Sequence, residues 1–141
     1  MERVSNQATF AAVHQLIEWK RYKEALKESE QLLRETPENP DSSALIAHIY
    51  FYMKEYEKAL YWTKETLILE PEHELAWYVR IGVYYETGNE KEFDEGVQEA
   101  LRIDPYESQY YFMKANRCNK KGKYADARVQ LLQALEIMPH S

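Results

Sequence analysis

Leu67-Ile68-Leu69-Glu70-Pro71 and Leu101-Arg102-Ile103-Asp104-Pro105 end in prolines 34 residues apart. The same ending returns at Leu32-Leu33-Arg34-Glu35-Thr36-Pro37 and at Leu135-Glu136-Ile137-Met138-Pro139, so four of the five prolines share one period. Aligning on them brings Tyr22, Tyr56 and Tyr124 into register, each followed three residues later by Ala25, Ala59 or Ala127. Lys20, Lys54, Gly88 and Gly122 fall at one position near the middle of each repeat. A fixed period of this length marks an array of supersecondary units, each too small to bury its apolar face alone.

Within each repeat, apolar residues recur at helical spacing on either side of the central Lys or Gly. The first helices are expected over about Asn6–Trp19, Asp41–Met53, Glu74–Thr87 and Ser108–Lys121. The second helices are expected over about Arg21–Glu35, Glu55–Glu70, Asn89–Asp104 and Lys123–Met138. Proline stops each second helix, because it cannot continue the hydrogen-bond ladder and disfavours helix at the residue before it. Asn39-Pro40 supplies a cap and a first-turn proline to the next helix, and Asn89 is placed to cap the helix after it. The small Ala25, Ala59 and Ala127 let paired helices approach, with the tyrosines covering the crossing. The expected first-helix core is Ala12, Val13 and Leu16; Ile46, Ala47 and Tyr50; Trp77, Ile81 and Tyr84; and Tyr111, Ala115 and Cys118. Leu26, Leu33, Leu60, Leu67, Leu101 and Leu135 face it from the second helices.

The pattern resembles the tetratricopeptide repeat over nearly the whole chain, with Trp77, Tyr50, Ala59, Ala100, Ala134 and the four prolines at motif positions. The resemblance implies an all-α fold: a right-handed α-solenoid of four helix–turn–helix repeats, about eight antiparallel helices. One domain is expected, with repeats at about 6–39, 40–73, 74–107 and 108–141. The third repeat departs from the pattern, with Phe93 in place of the crossing alanine and Glu90 in place of the tyrosine. Either Gly82 makes room there, or Phe93-Asp94-Glu95-Gly96 is the motif displaced by three residues. Arg80 and Lys114 replace an apolar residue and are expected to snorkel or pair with a carboxylate.

The resemblance also implies a protein-interaction scaffold or chaperone-like adaptor whose first helices line a concave groove. The groove positions carried over are Phe10, His14 and Ile17; Ala44, His48, Phe51 and Tyr52; Tyr78, Gly82 and Tyr85; and Phe112, Asn116 and Asn119. The helix around Ser43–Met53 is apolar nearly all round, more than one core stripe requires. That excess is expected in the groove, where aromatic rings would anchor an extended or helical protein segment. A carboxylate clamp of the kind used by heat-shock co-chaperones would need cations or Asn where Phe10, His14, Leu75 and Val79 stand, so that mode is disfavoured.

Charge narrows the function further. A net charge of −6 opposes nucleic acid and anionic membrane surfaces. No run reaches the roughly 18 apolar residues of a membrane span. Met1–Ser5 lacks the features of a signal peptide. A single cysteine suits a reducing, cytoplasmic setting. No cofactor, metal or catalytic residue is expected: His73-Glu74-Leu75-Ala76-Trp77 lacks the second histidine of a zinc-protease motif, and His14 and His48 have no further ligands at suitable spacing. The acidic stretch Asn89–Glu95 reads as a solvated helix face, while Lys114, Arg117, Lys120, Lys121 and Lys123 form a basic cluster open to an acidic partner or to solvent. An alternative function is self-association through a C-terminal end that exposes Leu131, Leu132 and Leu135.

Overall fold

Eight helices occur among the described residues, 6–137, of the computed structural model. They are α1 (Asn6–Glu18), α2 (Tyr22–Glu35), α3 (Pro40–Tyr52), α4 (Tyr56–Leu69), α5 (Glu74–Thr87), α6 (Glu90–Ile103), α7 (Gln109–Lys120) and α8 (Tyr124–Ile137). Their ends differ from the expected spans by a residue or not at all. Met1–Ser5, Met138, the stop expected at Pro139, and His140-Ser141 lie outside the described residues. The chain forms two bodies, Met1–Gly88 and Asn89–Ser141, so the boundary falls at the central turn of the third repeat.

Those central turns have one geometry. Lys20, Lys54, Gly88 and Gly122 all take positive φ, at 62°, 63°, 75° and 75°. In the first, second and fourth repeats the backbone closes the helix with a pair of nested hydrogen bonds. Arg21 N–H donates to Leu16 C=O and Lys20 N–H to Ile17 C=O; Glu55 donates to Tyr50 and Lys54 to Phe51; Lys123 donates to Cys118 and Gly122 to Asn119. This left-handed cap satisfies carbonyls that the helix leaves open and reverses the chain within two residues. A lysine tolerates the geometry at a cost of about 1–2 kcal/mol that glycine avoids.

In the N-terminal body, α3 packs against α2, α4 and α5. This accounts for its excess of apolar residues: Ala44, Leu45, Ile46, Ala47 and Ile49 are all buried. The expectation that the excess lines a groove is corrected for most of the helix, since a helix apolar all round is one surrounded by neighbours. One cluster joins Val13, Ala25, Leu32, Leu45 and Ile49; a second joins Ala47, Ala59, Val79 and Val83. Ala25, Ala59 and Ala127 are buried, as close helix approach requires. Ala12, in contrast, is exposed, because it sits one residue (about 100° of helix) from Val13, which takes the core position.

Hydroxyls and caps tie these helices together. Ser43 and Thr66 hydroxyls meet at 2.8 Å between α3 and α4, and Thr66 donates to Trp62 C=O. Asn39 caps α3 by accepting from Asp41 N–H at 2.9 Å, whereas Asn89 occupies the cap position of α6 without a side-chain cap bond. His73 is the cap the sequence reading missed. Its Nδ1 accepts from Ala76 N–H at 3.3 Å, and its Nε2 lies 2.8 Å from Asp41 Oδ1, linking the starts of α3 and α5. Accepting at Nδ1 places the neutral ring's proton on Nε2, facing the carboxylate. Arg80 neither snorkels nor pairs with a carboxylate: its Nη1 donates to Thr63 Oγ1 at 2.9 Å, with the guanidinium beside Tyr84.

In the C-terminal body α7 packs against α8. Phe93 is fully buried under the Arg117 guanidinium, 4.5 Å from the ring centroid. Gly82 belongs to the other body and makes room for Phe51, whose Cζ lies 2.8 Å from where a Cβ would stand. Tyr124, expected to cover a helix crossing, is 70% exposed, and Leu135 is turned to solvent rather than to a core. Lys54→Gly is expected to raise the unfolding free energy by up to about 1 kcal/mol, and Gly88→Ala to lower it by about 1 kcal/mol, in urea denaturation. Shifts of opposite sign would show that these turns do not limit stability.

Candidate functional site

The rings proposed for recognition concentrate on one part of the N-terminal body. Tyr52, at the C-terminal end of α3, is 43% exposed. One turn earlier, His48 places its ring 4.6 Å from that of Tyr52, a spacing set by their i, i+4 relation on one helix face. Tyr78 of α5 meets His48 edge-on at 6.1 Å. On the other side, Tyr22 at the start of α2 stacks nearly parallel to Tyr52, with centroids 5.6 Å apart. Phe51 touches both Tyr52 and Tyr56, at 6.3 and 6.1 Å. The result is a continuous aromatic layer from α2 across α3 to α5, held by offset and edge-on contacts that aromatic quadrupoles favour.

Burial sets the protonation of this layer. His48 is pushed down from 6.5 to about 4, first by burial and then by the charge of His14 on α1. Its imidazole is therefore neutral near pH 7, offering one N–H donor and one acceptor. The Tyr52 hydroxyl is raised above its ordinary value by burial, then by Tyr78 and Tyr22, so it remains a phenol able to donate.

The other carried-over positions divide. His14 is exposed, and Phe10 and Ile17 are half-buried against the Val13 cluster. Ala44 and Gly82 are buried and present no surface, a correction to their groove assignment. Ala44 is enclosed on the most surrounded helix, and Gly82 lies under the Phe51 ring. Tyr85 is half-buried on α5. Phe112 (half-buried), Asn116 and Asn119 (both exposed) lie on α7 in the C-terminal body. Tyr22 and Tyr56 belong to the aromatic layer, although the repeat register suggested for them only a role at helix crossings. Their signal was present, since each follows the turn residue by two positions and so returns toward the end of the preceding helix.

Among the described residues no three His, Cys, Asp or Glu side chains converge as metal ligands, and no helix is long and apolar enough to cross a membrane. The chemistry of the layer is apolar contact edged by hydroxyl and imidazole groups.

Comparison with known proteins bears on the fold that carries these rings. A family model described as anaphase-promoting complex, cyclosome, subunit 3 matches residues 18–103. No curated protein matches the sequence. Among solved structures, MamA 41-end from Desulfovibrio magneticus RS-1 is 18% identical with a TM-score of 0.79, covering 97% of this chain and 77% of that one. TTC0263, a thermophilic TPR protein in Thermus thermophilus, is 21% identical with a TM-score of 0.80, covering 94% and 74%. YrrB, a TPR protein with an unusual peptide-binding site, is 20% identical with a TM-score of 0.73, covering 94% and 68%. At these identities the likeness is one of fold.

The depressed His48 pKa has a thermodynamic consequence. As pH falls, the unfolded chain takes up the proton near 6.5 and the folded chain only near 4, so stability is complete above 6.5 and is lost between 6.5 and about 4. His48→Gln is expected to flatten the pH dependence of Tm in that window relative to wild type. At its acid end the difference is on the order of 3 kcal/mol. Parallel Tm profiles for the two proteins would contradict this.

Proposed function

This chain belongs to the tetratricopeptide-repeat family, matching the subunit 3 model over more than half its length, and we propose that it holds a segment of another protein on the aromatic layer of its N-terminal body. Its helical repeats are of the solenoid type and make, in general, a protein-interaction scaffold; the family is typically non-catalytic. The observation that carries the finer reading is Tyr52, an exposed ring stacked between Tyr22 and His48. A ring fixed by its neighbours gives a partner large contact area with little rotamer freedom left to lose. His48, Tyr52 and Tyr78 add polar edges for the backbone of an extended or helical segment, while Phe51 fills the layer from beneath. Tyr85 and, in the other body, Phe112 are further candidate anchors. The unusual peptide-binding site of YrrB is a precedent in a protein of the same fold. The free thiol of Cys118 fits a reducing compartment such as the cytoplasm.

Peptides selected on the wild-type protein from a displayed library are expected to lose roughly thirtyfold in affinity against Tyr52→Ala combined with His14→Ala. Both residues are exposed, so helical circular dichroism should be retained. Undiminished binding by the folded double variant rejects the reading.

A second reading, self-association through α8, is favoured by one observation: Val129, Leu132 and Leu135 are each 54% exposed on that helix. Contiguous exposed apolar residues mark association surfaces. If this reading holds, light scattering at high concentration shows oligomers that Leu132→Glu with Leu135→Glu converts to monomers. A monomeric wild type under the same conditions removes it.

A further inference from the structure

The basic cluster on α7 surrounds a cavity in the C-terminal body that the scaffold reading does not use. The cavity, of about 160 Å³, is bounded by Phe93 and Asp94 of α6, Lys114 and Arg117 of α7, and Lys121 and Lys123 of the following turn. Cys118 and Asp126 complete its wall. At about 100° per residue, Lys114, Arg117 and Lys121 stand on the side of α7 opposite Phe112, Asn116 and Asn119. It is therefore a separate place from the groove positions of that helix.

We propose that this cavity binds one carboxylate side chain from an acidic segment of a partner protein. Four cations converge on it from two elements, against two lining carboxylates, Asp94 and Asp126. Glu90 pairs with Lys121, and even with that pair discounted the cavity keeps a positive excess in a chain of net charge −6. Gathering like charges costs stability unless an anion offsets it. Arg117 is held in place by its contact with the buried Phe93 ring, and the Lys114 ammonium lies 5.9 Å from the Tyr111 ring, so both are partly ordered before a ligand arrives. The volume corresponds to about five waters at about 30 Å³ each, room for a carboxylate and its stem. The inference takes from the scaffold reading only that the ligand belongs to a protein, and its site lies in the other body.

Amide NMR spectra of the full chain would be titrated with a capped pentapeptide holding one glutamate among glycines, with its glutamine counterpart, and with inorganic phosphate. The glutamate peptide is expected to give saturable shifts at Phe93, Cys118, Lys121, Gly122 and Lys123, and the glutamine peptide none. Lys114→Gln with Lys123→Gln weakens that binding roughly tenfold, and raised salt weakens it too. Glu90→Gln, by releasing Lys121, tightens it, which keeps the test intact should the double variant fail to fold. Absent shifts, equal shifts from the glutamine peptide, an affinity indifferent to Glu90→Gln, or tighter binding of phosphate overturns the proposal; the last assigns the cavity to a phosphate instead. The Tyr52→Ala, His14→Ala protein is expected to bind the glutamate peptide as wild type does, so failure of the groove reading and failure of this one are separable.

Discussion

Two short helices joined by a two-residue reversal bury enough surface to persist only if their backbones come close. Ala25, Ala59 and Ala127 allow that approach, and all three are buried. A larger side chain at such a crossing would open the pair and detach the core residues on either side. The reversal is subject to a second constraint, a left-handed residue at the end of each first helix, met by lysine twice and glycine twice. Together the two conditions fix which face of each helix turns inward. The positions of Val13, Leu32, Ile49, Val79 and Val83 follow from them.

What remains outside the crossings is where function can reside. In the N-terminal body the rings of Tyr22, Phe51, Tyr52, Tyr78 and the imidazole of His48 pack on one another instead of facing solvent singly. Such a layer is rigid for the same reason that it is partly buried, and burial also holds His48 neutral. A scaffold gains from this: the entropy of ordering its contact side chains is lost during folding rather than on binding. Gly82 contributes indirectly, since only the absence of a side chain there leaves room for the tip of the Phe51 ring.

The C-terminal body uses its polar groups differently. Phe93 stands where a small crossing residue is the rule, and Arg117 covers its ring. That substitution brings a guanidinium to the edge of a cavity already flanked by lysines. Its last helix leaves Val129, Leu132 and Leu135 open. In α4 the register equivalent of Leu131 is Thr63, which is buried and bonded to Arg80 of the following helix. The same register position is thus covered by α5 on α4 and partly open on α8.

The sequence alone determined the period, the helix spans, the turn positions and the small residues at the crossings. Each depends on local geometry: proline blocks the ladder, a left-handed turn favours particular residues, and alanine has no side chain to hold helices apart. It did not determine which apolar residues face outward. Ala44 read as groove surface until α2, α4 and α5 were seen to surround α3, and Ala12 read as core although it is exposed. Nor could it find the His73 cap, which depends on Asp41 arriving from 32 residues away, or the stacking of Tyr22 on Tyr52. Those are contacts between elements, and only the placement of one helix against another decides them.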